Sequence, residues 1–203
     1  MSMSFEVFPT KTDIPKSEEV INYSLELFYK YLHGENINEH IDINTSSVSI
    51  NGDIDKSPYV ITSNENSHTV FNINNTGEVI VKCNNVTDID KVFWDEEIRN
   101  NKRALFLKDK IALSIKIGHS WNVKRTMGQP AIVCLYYGYL AIAIAILTDG
   151  IIYSDDGAWD YLSFPIEGNS FEKEYLSIDK LADSTVKQNV ESWIALLKNE
   201  MDE

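Results

Sequence analysis

Residues 131–160 read AIVCLYYGYLAIAIAILTDGIIYSDDGAWD, and the fold turns on how this stretch is interpreted. Ala131 to Leu147 carries no charge, Thr148-Asp149-Gly150 follows, and Ile151-Ile152-Tyr153 is again apolar. A membrane span needs roughly 20 apolar residues. This run is shorter, and Gly138 interrupts it, although Lys124 and Arg125 lie upstream. From Leu140 to Leu147, Ile142, Ile144 and Ile146 alternate with Ala141, Ala143 and Ala145. A period of two suits a strand, and isoleucine favours one. Asp149-Gly150 suits a two-residue hairpin loop, where both positions take positive φ. The sequence therefore predicts a hairpin with Thr148 opposite Ile151 and Ile146 opposite Tyr153. Both of its faces are apolar, which places it at the centre of a sheet, covered on both sides.

At 203 residues, with 43% hydrophobic and 24% charged content, the chain fits one globular domain spanning 1–203. A weak subdivision near residue 87 would part a helix and an Asn-rich β meander (1–87) from an α+β remainder (88–203). The opening residues are mixed and polar, so no secretory leader is read and the cytoplasm is the expected compartment. Cys83 and Cys134 lie in apolar runs and read as buried free thiols. They have no zinc-site spacing.

The net charge is −13. Residues 1–90 and 149–203 are strongly acidic, and residues 91–148 are mildly basic. Nucleic-acid binding needs concentrated Lys and Arg and is disfavoured. The acid serves solubility, or it complements a basic partner.

Pro15 to Gly34 reads as a helix, with Ser17 as cap and Ile21, Leu25, Phe28 and Leu32 on one face. Short strands are expected at Ser47–Ile50, Tyr59–Thr62, Val70–Ile73 and Val79–Cys83, forming an antiparallel meander. A second helix is expected over Asp88–Phe106, with Trp94, Ile98 and Leu105 as its stripe. Ile111–Ile117 alternates and reads as a strand. Gly118–Pro130 reads as a polar loop, Pro130 as the start of a short helix ended by Gly138, and Ser154–Gly168 as a second loop. Ser184–Met201 reads as a helix. The expected fold class is α+β: an antiparallel β-sheet with terminal and central helices packed on it.

Gly118-His119-Ser120-Trp121 looks like a nucleophile elbow, but Asn122 stands where the motif requires glycine, and no histidine follows His119. His119 and Ser120 are therefore weak site candidates. Asp155-Asp156-Gly157-Ala158-Trp159-Asp160 gathers carboxylates without calcium-loop spacing. No phosphate-cradling or zinc-protease motif occurs, so neither cofactor nor metal is expected.

Trp and Tyr beside carboxylates make good interface anchors. Asp155, Asp156, Trp159, Asp160 and Tyr161 are accordingly the expected partner-binding residues. The expected function is a non-catalytic acidic protein that engages a basic partner, most concretely a bacterial immunity protein that neutralises a toxin domain. One alternative is an enzyme using Asp155, Asp156 or His119 without a recognised motif. Another is a structural or regulatory subunit of a homo-oligomer.

Overall fold

The computed structural model describes residues 3–154, 163–181 and 183–199. Among these, eight strands form one antiparallel sheet, and seven α-helices pack on its two faces. The strands are β1 (Met3–Phe8), β2 (Ile43–Ser49), β3 (Ile54–Asp55), β4 (Ser67–Ile73), β5 (Gly77–Asn85), β6 (His119–Arg125), β7 (Ile151–Tyr153) and β8 (Ile166–Glu167). Their order across the sheet is β3-β2-β4-β5-β6-β1-β7-β8. The helices are α1 (Ser17–Gly34), α2 (Asp88–Asn100), α3 (Lys102–Phe106), α4 (Lys108–Ile117), α5 (Ala131–Leu147), α6 (Gly168–Glu174) and α7 (Ser184–Asn199). The fold is α+β, as the sequence predicts. β5 pairs with β6 along six residues, so one sheet runs across position 87.

The decisive stretch is not a hairpin. Ala131–Leu147 is one helix, buried without interruption from Ile132 to Ala145. A helix enclosed on all sides needs no polar stripe, so the 3.6-residue pattern that normally betrays a helix is absent. The Ile/Ala alternation that remains carries no information about period. Alanine also has the highest helix propensity.

The Asp149-Gly150 signal marks a stop, not a hairpin. Gly150 N–H donates to Ala145 C=O (2.7 Å) and Asp149 N–H to Ile146 C=O (3.1 Å), the paired bonds of a Schellman C-terminus. Asp149 takes the left-handed position, at φ 50°. A Cβ on Gly150 would stand 2.6 Å from the Phe8 carbonyl, so β1 packs against bare backbone there. Among the described residues no helix is long and apolar enough to cross a membrane.

Gly138 does not end a helix either. It opens a slot in the middle of α5 for the Tyr175 ring, whose Cζ lies 2.0 Å from where a Cβ would stand. The Tyr175 hydroxyl donates to Leu135 C=O (3.0 Å) and accepts from Gly138 N–H (3.2 Å). Ser24 on α1 and Tyr136 on α5 share a second buried hydroxyl contact.

Two further expectations are corrected. Lys108–Ile117 is a helix whose buried positions are Ile111 and Ser114, while Leu113 is exposed; Gly118, at φ 87°, closes it. The loop expected at Gly118–Pro130 contains the central strand β6. Trp121, Val123 and Arg125 point to the helix-covered core, and polar Asn122 and Lys124 alternate with them. Trp121 Nε1 donates to Thr62 C=O (2.7 Å). Arg125 is buried with its guanidinium 5.0 Å from the Tyr137 ring and 5.1 Å from that of Trp193. Aromatic faces attract the cation, which lets a charged side chain occupy a core position.

Elsewhere the differences are smaller. Tyr59–Thr62 contributes only a bridge between Val60 and Lys16, with Tyr59 exposed. Lys16 precedes α1 where Ser17 was expected as cap. Asn101 divides the expected Asp88–Phe106 helix by capping α3, its Oδ1 accepting from Arg103 N–H (2.9 Å). Leu105, expected on the inner stripe of that helix, is half exposed. Residues 166–168, expected at the end of a loop, form β8 and the first residue of α6.

On an exposed helix, replacing Gly by Ala stabilises by about 1 kcal/mol. Gly138→Ala is expected to do the reverse, since overpacking costs roughly 1–3 kcal/mol and the Tyr175 hydrogen bonds are lost as well. Urea denaturation should show a lowered midpoint for Gly138→Ala, partly restored in the double variant with Tyr175→Leu.

Candidate partner-binding surface

The loop singled out by sequence, with Asp155, Asp156, Trp159, Asp160 and Tyr161, lies outside the described residues. The chain on either side of it is described. Ser154 Oγ donates to Ser4 C=O (2.9 Å), which ties the upstream end to β1. Downstream, Arg103 Nη1 donates to Ser163 C=O (2.7 Å) and Asn101 Nδ2 to Phe164 C=O (2.7 Å). The helix that Asn101 interrupts thus holds the chain where it re-enters the fold.

Beside Ser163 lies a cavity of about 370 Å³, walled by Phe106, Leu107, Pro165 and Ile166 and edged by Lys102 and Glu174. Phe106 is 85% exposed there. Lys110 pairs with Asp149 (2.7 Å) and Glu167 (2.8 Å), joining α4 to the ends of α5 and β8.

α2 has one packed side and one open side. Thr87 caps it, with Asp90 N–H donating to Thr87 Oγ1 and Thr87 N–H to the Asp90 carboxylate (2.6 Å), a reciprocal pair at the helix start. Trp94 is fully buried against Phe8 and Tyr153. Ile89 and Val92 remain 81% and 59% exposed. They stand among exposed Asp88, Asp95 and Glu96, with Lys91 between them paired to Asp88 (2.8 Å). Apolar side chains with a carboxylate rim are the composition of an interface whose partner is basic. The sequence held one sign of this: residues 89–98 contain more apolar positions than a single helix stripe can bury, but not which of them stay outside.

His119 and Ser120 are neighbours on β6, so their side chains leave opposite faces of the sheet and cannot act on one another. His119 packs edge-on against Trp121, ring centroids 4.8 Å apart, and its Nε2 has no hydrogen-bond partner among the described residues. Burial holds its pKa below the usual histidine value. Both cysteines are free and buried. Burial, with Glu65 nearby, pushes the Cys83 thiol up to about 11, and burial raises Cys134 against the pull of Arg125. Neither is a thiolate at neutral pH, the form a nucleophile requires. Among the described residues no three His, Cys, Asp or Glu side chains gather as a metal ion would need.

His119 gives a pH signature. Its folded pKa is depressed, as is that of His68 through burial and Lys82. The unfolded chain takes up these protons first, so stability is full above about pH 6.5 and falls as pH drops below it. Thermal melts between pH 7.5 and 5.5 should show this fall, with a shallower slope in His119→Gln.

Comparison with protein-family models, with curated proteins and with solved structures gave no match.

Proposed function

We propose that this chain is a non-catalytic binding protein that engages a basic macromolecule through its α2–α3 surface and the loop of Asp155, Asp156, Trp159, Asp160 and Tyr161. Its most concrete form is a bacterial immunity protein that neutralises a toxin domain from the cytoplasmic side. The observation that carries this reading is the pair Ile89 and Val92, 81% and 59% exposed amid carboxylates on a helix whose other side is firmly packed. An exposed apolar side chain is ordinary when single. Two on adjacent turns of one helix offer an apolar surface that a partner can cover, and Leu105 and Phe106 are also exposed on the next helix.

Division of labour follows from the chemistry. Apolar anchors set how long a complex lasts, because losing their burial speeds dissociation. The carboxylate rim, within a net charge of −13, steers a basic partner and raises the association rate. A rigid support favours such an interface, since little side-chain freedom remains to be lost.

The test is co-expression with the basic products of neighbouring reading frames, followed by kinetic measurement on any complex. Ile89→Ala with Val92→Ala should raise the dissociation rate about tenfold, an order of magnitude set by 1–2 kcal/mol of lost burial. Asp95→Asn with Glu96→Gln should slow association and flatten its salt dependence. A chain that binds none of these products, or variants that leave both rates unchanged, overturns the proposal.

A further inference from the structure

A larger cavity, of about 570 Å³, opens on the other side of α6, between α1, α5 and α7. Ligand sites commonly fall between about 300 and 1,000 Å³. Three tyrosines line it: Tyr31 from α1, Tyr139 from α5 and Tyr175 beyond α6. The Tyr31 and Tyr139 rings lie 5.8 Å apart at 41°, and Tyr175 meets Tyr139 edge-on at 5.0 Å. Two carboxylates share the lining, Glu35 at the end of α1 and Glu172 on α6. Both act on the Tyr139 phenol, whose pKa is raised first by burial, then by Tyr31, Glu172 and Glu35. The Tyr31 hydroxyl is shielded from solvent and has no hydrogen-bond partner among the described residues.

These groups have one chemistry in common. Phenol rings and carboxylates each attract a cation, and an orphaned hydroxyl oxygen accepts a hydrogen bond. Two lysines, Lys30 and Lys173, also line the cavity. Lys30 reaches Glu172 (2.8 Å) with its side chain 76% exposed, and Lys198 reaches Glu35 (3.1 Å) at 44% exposure. Solvent screens the exposed lysine end of each pair, so an entering cation displaces it at small cost. Arginine suits the site better than lysine. Its planar fork binds a carboxylate with two hydrogen bonds and stacks on an aromatic ring, which a lysine ammonium cannot do.

We propose that this cavity receives an arginine side chain from a basic polypeptide, with Glu35 and Glu172 pairing the guanidinium and the Tyr31 and Tyr139 rings forming the aromatic wall beside it. The inference rests on the basic-partner reading but places an anchor on a different surface from α2. α6 forms a wall of both cavities, through Glu174 toward the first and Glu172 toward the second.

The experiment titrates the intact chain, by isothermal calorimetry at low salt, with three acetylated hexapeptide amides. They alternate glycine with arginine, with lysine or with citrulline, the uncharged analogue of arginine. The expected result is binding of the arginine peptide, at least fivefold weaker binding of the lysine peptide and none of citrulline. Glu35→Gln with Glu172→Gln should weaken the arginine peptide tenfold or more, and Tyr31→Phe about threefold, with circular dichroism unchanged. Asp95→Asn with Glu96→Gln on α2 should have no effect. Equal binding of the lysine and arginine peptides overturns the arginine assignment. Loss of binding in the α2 variant but not in the cavity variant overturns the cavity while leaving the basic-partner reading intact. No binding of any peptide overturns the cavity alone, because the partner reading is judged on full-length neighbouring proteins.

Discussion

Enclosure of α5 is the constraint on which the rest of the structure depends. Fourteen consecutive residues of this helix are buried, and each large side chain among them is worth roughly 1.5–3 kcal/mol when removed from water. No single neighbour can cover a helix on every side. The sheet supplies one wall through β5, β6, β1 and β7, and α1, α6 and α7 supply the others. Close approach is achieved by omission of side chains. Gly138 admits Tyr175, and Gly168 lets the start of α6 sit against Ala145 and Ile146. The two cavities then arise because α6, only seven residues long, leaves space on both of its sides.

What the sequence disclosed follows the same constraint. α1 and α7 were legible because each has a wet side, so Leu32 and Val190 stand out against charge. The meander strands β2, β4 and β5 were legible from turn chemistry at Asn51-Gly52 and Asn74-Asn75. α5 was illegible as a helix because the contrast that reveals period vanishes under full burial. β6 failed for the opposite reason. His119, Asn122, Lys124 and Arg125 make it look like a loop, although Trp121 and Val123 mark its inner face. At the candidate surface, Ile89, Val92 and Phe106 could be counted as apolar, but their exposure depends on which side Trp94 presents to Phe8 and Tyr153, a tertiary fact.

The basic middle of an acidic chain also acquires a physical meaning. Several of its cations serve the fold. Arg125 lies between two rings, Lys110 clamps Asp149 and Glu167, and Arg103 holds the Ser163 carbonyl and faces Glu174. α2 presents Asp88, Asp95 and Glu96 to the outside, while Lys91, Arg99, Lys102, Lys108 and Lys116 are exposed as well. The negative field that would steer a cationic partner therefore comes from the acidic flanks, which carry the net charge of −13, and not from residues 91–148.

The position of β1 has a consequence for how the protein is made. Residues 3–8 lie in the interior of the sheet, bonded to residues 121–125 on one side and 151–153 on the other. During translation they leave the ribosome long before either neighbour exists. Phe5, Val7 and Phe8, all buried at the end, must spend that interval in water or under the care of a chaperone. Contacts so distant in sequence slow folding, and a nascent apolar strand with open edges invites association with other chains.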